Sequence, residues 1–370
     1  MQLLHANGYR KNISVARYLN HRTLAKRFLQ QAAELTPPDI IVSSLPTLDF
    51  CTAATRYGHQ YQVPVAIDVR DLWPDIFVDC SPPLVRRSAR LLLSPLFRQA
   101  QQACATATGI TGITDAFVDW ALDKAGRERS RYDQSFPMGY AETTPTEAEI
   151  EAAQQFWAQQ GITSDSETFT LCFFGTLGRH FEMPTVLEAA RTLEQRGRQV
   201  RWVICGTGSH GDAWKSQAKD LTSVSFPGWV SAAQIWTLMR FSHAALAPYV
   251  STHDFARSLP NKSIEYLSAG LPVLSSLQGV LAGLLADCQC GLTYRNGSAA
   301  ELAEYVTQLA DNRERLAAMS RSALHLYQDR FTAENVYAKM ADHLQNIVTT
   351  NESRKNNCSS VPRPDGEMVR

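Results

Sequence analysis

A cationic and an anionic side chain stand three residues apart in the segment RSLPNKSIEYLSAGLPVLSS, residues 257–276. Lys262 follows Pro260 in the predicted first turn of a helix, where free backbone N–H groups and the positive dipole end favour an anion such as phosphate. Glu265 projects from nearly the same face, and its two acceptor oxygens suit the vicinal hydroxyls of a ribose. The pair therefore suggests a nucleotide site, although an exposed salt bridge on a surface helix has the same spacing.

The elements around this pair alternate between strands and helices, which is typical of an α/β domain with a parallel sheet. Two apolar runs, 171–174 and 200–205, pass into glycine turns, at Gly175 and Gly178 and at Gly206 to Gly208. Such turns let a backbone approach a phosphate or a base, but many α/β proteins have them and bind nothing there.

The front half shows the same alternation, with strands predicted near 39–44, 63–69 and 109–114 and helices between them. Charged residues follow the second of these strands in VPVAIDVRDLWPD, which contains Asp68, Arg70 and Asp71. Because polar groups at the carboxyl ends of parallel strands face the ligand crevice, these three are candidate site residues. Alternatively, they pair only with each other at the strand end.

The helices predicted in the front half of the chain include one with a basic face. A long helix is predicted over 86–103 and another over 115–125. The pattern over 13–35 predicts a helix with a basic face, which carries Arg17, Arg22, Lys26 and Arg27. Such a face is usually solvated, and contact with an anionic membrane surface is the alternative.

The changes in composition along the chain predict the domain boundaries. The first domain spans 1–140, and a polar, acidic stretch at 141–168 with its own short helix is interpreted as a linker. The second domain spans 169–330, and a C-terminal helix spans 331–348. Residues 349–370 are polar and contain prolines, so disorder is expected there.

Composition excludes several classes of function. Lysine plus arginine equals aspartate plus glutamate at 36 each, so no net field attracts nucleic acid. The eight cysteines form no CxxC pair, which favours a reducing cytoplasm and no metal site, including at Cys288 and Cys290. No apolar run is long enough for a membrane span or a signal peptide, which predicts a soluble protein.

The order of these motifs resembles a known family. Residues 169–347 resemble the donor-binding half of a family 4 glycosyltransferase of the GT-B fold, and residues 39–140 resemble part of its acceptor half. The motifs that carry the resemblance are IDVRDLWPD, FPMGY, FFGTLGR, ICGTG, VSFPGWV, HAALAPY and LPNKSIEYLSAGLPV. The subgroup it is most similar to works in bacterial O-antigen or capsule assembly and includes fucosamine transferases. The resemblance implies two Rossmann-like domains with a cleft between them.

The resemblance also implies roles for individual residues. Glu265 would hold the ribose of a nucleotide-sugar, and Lys262 with Asn261 and the neighbouring backbone would bind its diphosphate. Gly178 and Arg179 would face the same phosphates, and Gly206 and Gly208 would lie near the base.

The implied reaction is retaining transfer from a donor, UDP-linked in this subgroup, to a glycan or lipid-diphosphate-linked acceptor. It would need no metal or other cofactor. Arg179 and Lys262 would stabilise the leaving diphosphate, while Asp68, Arg70 and Asp71 would meet the sugar or the acceptor. The protein would act in the cytoplasm, with peripheral contact at the inner membrane face as a further expectation.

The sequence also departs from the family pattern. Arg257 replaces a common glutamate eight positions before Glu265, and Phe181 replaces a phosphate-binding lysine. The family's first strand, Gly-Gly turn, first helix and second strand have no counterpart at the front, so a truncated or degenerate transferase that binds nucleotide without transfer is an alternative. A nicotinamide-dependent oxidoreductase is another, because GTGSHG, residues 206–211, has the dinucleotide glycine spacing, although it does not follow the first strand of its half.

Overall fold

The structure is a computed structural model that describes residues 3–10, 14–79, 81–164 and 167–359, without the side chains of 354–359. It divides into two compact units. The first unit comprises Met1–Pro137 and Tyr337–Arg370, and the second comprises Met138–Val336.

The first unit is built on a four-stranded parallel sheet with the sequential order β1-β2-β3-β4. The strands are β1 (Ile41–Leu45), β2 (Val65–Val69), β3 (Gly109–Gly112) and β4 (Gln134–Ser135). The helices are α1 (Val15–Ala32), α2 (Leu48–Tyr61), α3 (Asp75–Asp79), α4 (Arg86–Leu92), α5 (Ser94–Thr106) and α6 (Asp115–Ala125), with a 3-10 turn at Pro83–Val85.

The core of this unit lies between the sheet and helices α2, α5 and α6, where Val65, Ile67 and Ile110 are fully or almost fully buried. Helix α1 packs on α2 through Phe28, whose ring lies 6.1 Å from that of Phe50. Helix α1 is therefore a packed helix with an outer basic face.

The predicted long helix over 86–103 is two helices in the structure. Helix α4 ends at Leu92 and α5 begins at Ser94, with Pro95 in its first turn. A proline in the interior of one continuous helix would clash with the preceding turn, whereas the first turn of a new helix accepts it.

The second unit is built on a six-stranded parallel sheet. Its strands are β5 (Phe169–Phe174), β6 (Val200–Cys205), β7 (Val224–Gly228), β8 (Ala244–Ala247), β9 (Val273–Ser275) and β10 (Gly291–Thr293). Its helices are α7 (Glu147–Ala158), α8 (Met183–Gln195), α9 (Gly211–Gln217), α10 (Ala232–Phe241), α11 (His253–Arg257), α12 (Asn261–Ser268), α13 (Val280–Asp287), α14 (Ala299–Asp311) and α15 (Arg313–Arg330). The final helix, α16 (Ala333–Ser359), begins in this unit and continues into the first.

The sheet order β10-β9-β8-β5-β6-β7 is that of a doubly wound Rossmann fold, because the first strand, β5, lies in the middle. Two apolar clusters cover the two faces of the sheet. The apolar runs in β5 and β6 are continuous because both faces are buried, as in other parallel sheets.

The segment 141–168, which we interpreted as a linker, packs as part of the second unit. Its helix α7 has a capping box at Thr146 and buries Trp157 completely. The Trp157 indole N–H donates to the Gln234 carbonyl at 2.9 Å. The polar composition of the segment reflects the outer face of α7, which the composition alone does not distinguish from a solvated linker.

The C-terminal helix also extends beyond its predicted end at 348. The predicted disorder from Thr349 is not seen as far as Ser359, and residues 360–370 lie outside the described part. Thr349, Thr350 and Ser353 each donate a hydroxyl hydrogen bond to the carbonyl four residues earlier. These polar side chains are thus satisfied within a helix, a local arrangement that a disorder prediction from composition ignores.

Candidate nucleotide site

The candidate site lies at the carboxyl ends of the central strands in the second unit. The chain order reverses between β5 and β8, which are neighbours in the sheet. In open α/β sheets, ligands bind at such a switch point, outside the carboxyl ends of the strands.

Glycine turns bring the ends of β5 and β6 into very close contact. A Cβ at Gly206, where φ is +127°, would lie 1.8 Å from the Gly175 carbonyl oxygen, and one at Gly208 would lie 2.3 Å from the Leu177 carbonyl oxygen. The Leu177 N–H donates to the Thr207 carbonyl at 2.9 Å, which joins the two turns. These glycines are therefore required by the fold itself, whether or not a ligand approaches them.

Lys262 lies at the beginning of α12 and reaches the end of β5. Its ammonium donates a hydrogen bond to the Phe174 carbonyl and lies 4.8 Å from the centre of the Phe174 ring. A Cβ at Gly175 would lie 2.7 Å from Nζ, so the glycine leaves the space that the lysine occupies. Burial lowers the pKa of Lys262, and the charge of Glu265 opposes this shift.

Glu265 lies one turn further along α12 and is half-buried. Burial raises the pKa of Glu265, while the Lys262 charge and a hydrogen bond from Tyr140 act to lower it. The Tyr140 hydroxyl donates to Glu265 Oε1 at 3.4 Å. Lys262 and Glu265 are thus partly shielded from water and do not form a fully solvated salt bridge.

Tyr140 is a site residue that the sequence reasoning missed, although its motif FPMGY was recognised. Its backbone N–H donates to the Phe331 carbonyl at 2.9 Å, and its own carbonyl accepts from the Tyr327 hydroxyl at 2.9 Å. The residue is therefore held in place before it contacts Glu265. A short-range pattern could not reveal a contact between positions 125 residues apart.

The remaining predicted donor residues lie around this centre with more exposure. Gly178 and Arg179 belong to the loop between β5 and α8, and Arg179 is exposed. A Cβ at Gly178 would meet only the Thr176 carbonyl oxygen, at 3.9 Å, so the local backbone does not require glycine there. Asn261 is the first residue of α12 and is exposed.

The three candidates of the first unit follow the end of β2. Asp68 is buried, accepts from Arg70 Nε at 2.5 Å and accepts from the Thr111 hydroxyl at 2.8 Å. Asp71 is exposed. Asp68 and Arg70 therefore form an ion pair at the strand end, and Asp71 is the exposed member of the trio.

Within residues 3–10, 14–79, 81–164 and 167–359, no group of three His, Cys, Asp or Glu residues is arranged to hold a metal ion. No helix in these ranges is long and apolar enough to cross a membrane.

Comparison with protein families gives a match within the second unit. Residues 156–325 match the model of the family "Glycosyl transferases group 1". The D-inositol 3-phosphate glycosyltransferase of Corynebacterium aurimucosum is 29% identical over 184 residues, which are 46% of this chain and 43% of that protein. The chain thus spans less than half the length of this curated relative.

Comparison with solved structures covers both units. The Anabaena protein Alr3699/HepE in complex with UDP has a TM-score of 0.65 and 16% identity, over 87% of this chain and 82% of that chain. The sucrose-phosphate synthase of Thermosynechococcus elongatus has a TM-score of 0.68 and 14% identity, over 90% and 79% of the two chains. The two parallel-sheet, Rossmann-like units are those of the GT-B fold, as predicted.

Proposed function

We propose that the chain transfers a sugar from a nucleotide-sugar donor, held by the second unit, to a glycan or lipid-diphosphate-linked acceptor. One observation carries the proposal: Lys262 and Glu265 lie at the switch point of a Rossmann sheet, beside interlocked glycine turns. A cation at a helix N-terminus and a carboxylate one turn later match the diphosphate and the ribose of such a donor.

The donor roles extend to the neighbouring residues. Arg179 and Asn261 are exposed beside the same turns, so their side chains are accessible to the phosphates. The Glu265 carboxylate would accept hydrogen bonds from the two ribose hydroxyls, with Tyr140 keeping the carboxylate in position. Gly206 and Gly208 would lie near the base.

The proposed chemistry is electrostatic and positional. As the bond between the sugar and the diphosphate breaks, negative charge grows on the leaving oxygen, and the cations of Lys262 and Arg179 stabilise it. Retention of configuration requires the acceptor hydroxyl on the same face of the sugar, which is a matter of orientation. We assign Asp71 and Arg70 to the sugar or the acceptor, with Asp68 holding Arg70. No metal takes part in this scheme.

The biological setting is part of the proposal. Alr3699/HepE has been solved with UDP and with UDP-glucose, which supports a UDP-linked donor here. The motifs resemble those of bacterial transferases of O-antigen or capsule synthesis, which supports a role in cell-surface polysaccharide assembly. We infer that such an enzyme acts in the cytoplasm, at the inner membrane face.

Calorimetric titration of the full chain with UDP, GDP and NAD tests the donor site. We expect one nucleoside diphosphate to bind, and Glu265→Ala to weaken it about tenfold or more, because hydrogen bonds to a charged group are lost. Glu151→Ala, on the exposed face of α7, is the matched control and should bind normally.

The same preparation distinguishes the alternatives. Slow hydrolysis of the UDP-sugar, or transfer to a lipid-diphosphate acceptor, supports the transferase. Binding of UDP with neither reaction is the result expected of a degenerate transferase. Binding of NAD in preference to both diphosphates would favour the oxidoreductase, and a folded chain that binds none of the three overturns the proposal.

A further inference from the structure

A short segment of the first unit exposes leucines and arginines together. We define the Leu84–Leu92 surface as the apolar side chains Leu84, Val85, Leu91 and Leu92 with the basic side chains Arg86, Arg87 and Arg90. Leu84 is 97% exposed, Leu91 is 77% exposed and Leu92 is 81% exposed. The turn at Pro83–Val85 and helix α4 contain no buried residue.

This exposure is unusual for such a composition. A surface helix of a globular protein normally buries its apolar side chains against the core. Here the core of the unit is provided by the following helix, α5, which buries Ala100, Ala103 and Cys104. The break before Pro95 separates α4 from that packed helix. The apolar side chains of α4 therefore face water unless something outside the unit covers them.

The charge around these leucines indicates what covers them. From residue 80 to residue 114 the chain contains four arginines and no aspartate or glutamate. Arg86 donates to the carbonyls of Ser81 and Asp79, both at 3.2 Å, which fixes its side chain beside the turn. A partner of this segment must therefore provide both an apolar region that accepts the leucines and negative charge for the arginines.

The helix geometry separates the two kinds of side chain. At about 3.6 residues per turn, Arg86 and Arg90 lie on one side of α4, and Leu91 and Leu92 lie towards the other. A helix that lies in a membrane interface inserts its leucines below the headgroups, while its arginines reach the phosphates.

We propose that the Leu84–Leu92 surface binds an anionic lipid membrane. It is a different element from the basic helix α1. Helix α1 is packed on α2, with the Phe28 ring 6.1 Å from that of Phe50, whereas α4 buries no residue. The leucines of this surface insert into the membrane, and the arginines are attracted to the anionic headgroups. Neither interaction depends on the donor site.

Co-sedimentation of the full chain with vesicles tests this. We expect binding to vesicles of phosphatidylglycerol and phosphatidylcholine, weak binding to phosphatidylcholine alone, and loss of binding at high salt. Replacing Arg86, Arg87 and Arg90 by glutamine should lower the binding to anionic vesicles about a hundredfold, at roughly fivefold per arginine. Leu91→Ser combined with Leu92→Ser should lower it at least tenfold, because the inserted apolar area is lost.

The matched controls are on α1, where Val15 and Leu19 are 75% and 54% exposed and Arg22 is exposed as well. Val15→Ser with Leu19→Ser, and Arg22→Gln, should leave vesicle binding unchanged. Circular dichroism should show all the variants folded, because every replaced side chain is on the surface.

Three results would overturn the proposal. The first is a chain that does not bind anionic vesicles. The second is loss of binding only in the α1 variants, which would move the contact to that helix. The third is an unmodified chain that forms dimers in solution and does not bind vesicles, while the Leu91→Ser, Leu92→Ser variant is monomeric. The Leu84–Leu92 surface would then bind a second copy of the chain.

Discussion

Replacing Lys262 by methionine should separate binding from folding. Methionine keeps an unbranched apolar stem of four heavy atoms, with sulfur in place of Cδ, and lacks the ammonium. In the structure, that ammonium donates to the Phe174 carbonyl and lies near Glu265 in a partly buried position. If Lys262 has a structural role, this variant should be less stable; if Lys262 binds a diphosphate, the variant should bind the nucleotide more weakly.

The structure gives the magnitudes. Leaving the Phe174 carbonyl without its donor costs about 1–3 kcal/mol of folding free energy. Removing a partly buried charge offsets some of this cost, so the unfolding free energy should fall by no more than about 3 kcal/mol. A charge-assisted contact with a diphosphate contributes about 1.5–3 kcal/mol, so Kd for UDP should rise about 10- to 150-fold.

Urea unfolding and calorimetric titration measure these two quantities on the same sample. Lys215→Met, on the exposed face of α9, should change neither. If Lys262→Met unfolds several kcal/mol more easily while Kd for UDP changes less than threefold, the lysine is a structural group and the placement of the diphosphate is wrong.

The lowered pKa of Lys262 adds a pH dependence to the same experiment. A bound diphosphate stabilises the ammonium and raises its pKa again. Between the lowered pKa of the free protein and the ordinary lysine value, binding therefore takes up a proton, and affinity falls as pH rises through that window. Titrations in buffers of different ionisation enthalpy measure the uptake. It should disappear in Lys262→Arg, and uptake that persists there would assign the proton to another group.

Two further predictions concern stability. Gly206→Ala should destabilise the fold by about 3 kcal/mol or more in thermal unfolding, because its Cβ would lie 1.8 Å from a backbone oxygen of the neighbouring turn. Gly197→Ala, with φ of +67° but nothing within 4 Å, should cost only about 1–2 kcal/mol, and equal costs would contradict the close contact. Asp133→Asn should cost about 3 kcal/mol in urea unfolding, because the buried carboxylate accepts from Arg127 at 2.6 and 2.7 Å. Burial acts to raise the pKa of Asp133, but the hydrogen bonds from Arg127 and the backbone leave that pKa lowered. The stabilisation by this carboxylate is therefore complete above its pKa in the unfolded chain and is lost as pH falls through its pKa in the folded protein. Asp133→Asn should lack this loss of stability in acid.

Sequence patterns predicted strands β5 and β6 of the second unit, for a physical reason. In a parallel sheet covered on both faces, strands such as β5 and β6 are continuous apolar runs, and each ends in a glycine turn. Periodicity then marks the helices between them. The segment over 141–168 was harder, because it buries Ala153, Trp157 and Ile162 although its average composition is that of a linker.

The candidate site was predictable where it depends on neighbours in sequence. Lys262 and Glu265 are one helical turn apart, so their spacing alone brings them to one face. Their partners Phe174 and Tyr140 come from distant parts of the chain, and only the folded structure reveals them. Asp68 and Arg70 are two residues apart at a strand end, and their contact with each other, which the sequence offered only as an alternative, is seen in the structure.

The glycine turns show that a sequence motif does not by itself establish a binding site. Gly206 and Gly208 fit a nucleotide fingerprint in the sequence, yet their missing Cβ atoms are already required by the backbone of the β5 turn. A glycine at these positions would be found even in a protein of this fold that binds nothing. A ligand is indicated instead by charged groups that lie partly buried in the free protein. Lys262 and Glu265 are such groups, because both carry charges whose desolvation is unfavourable in the free protein and which an anionic, hydroxyl-bearing ligand would stabilise.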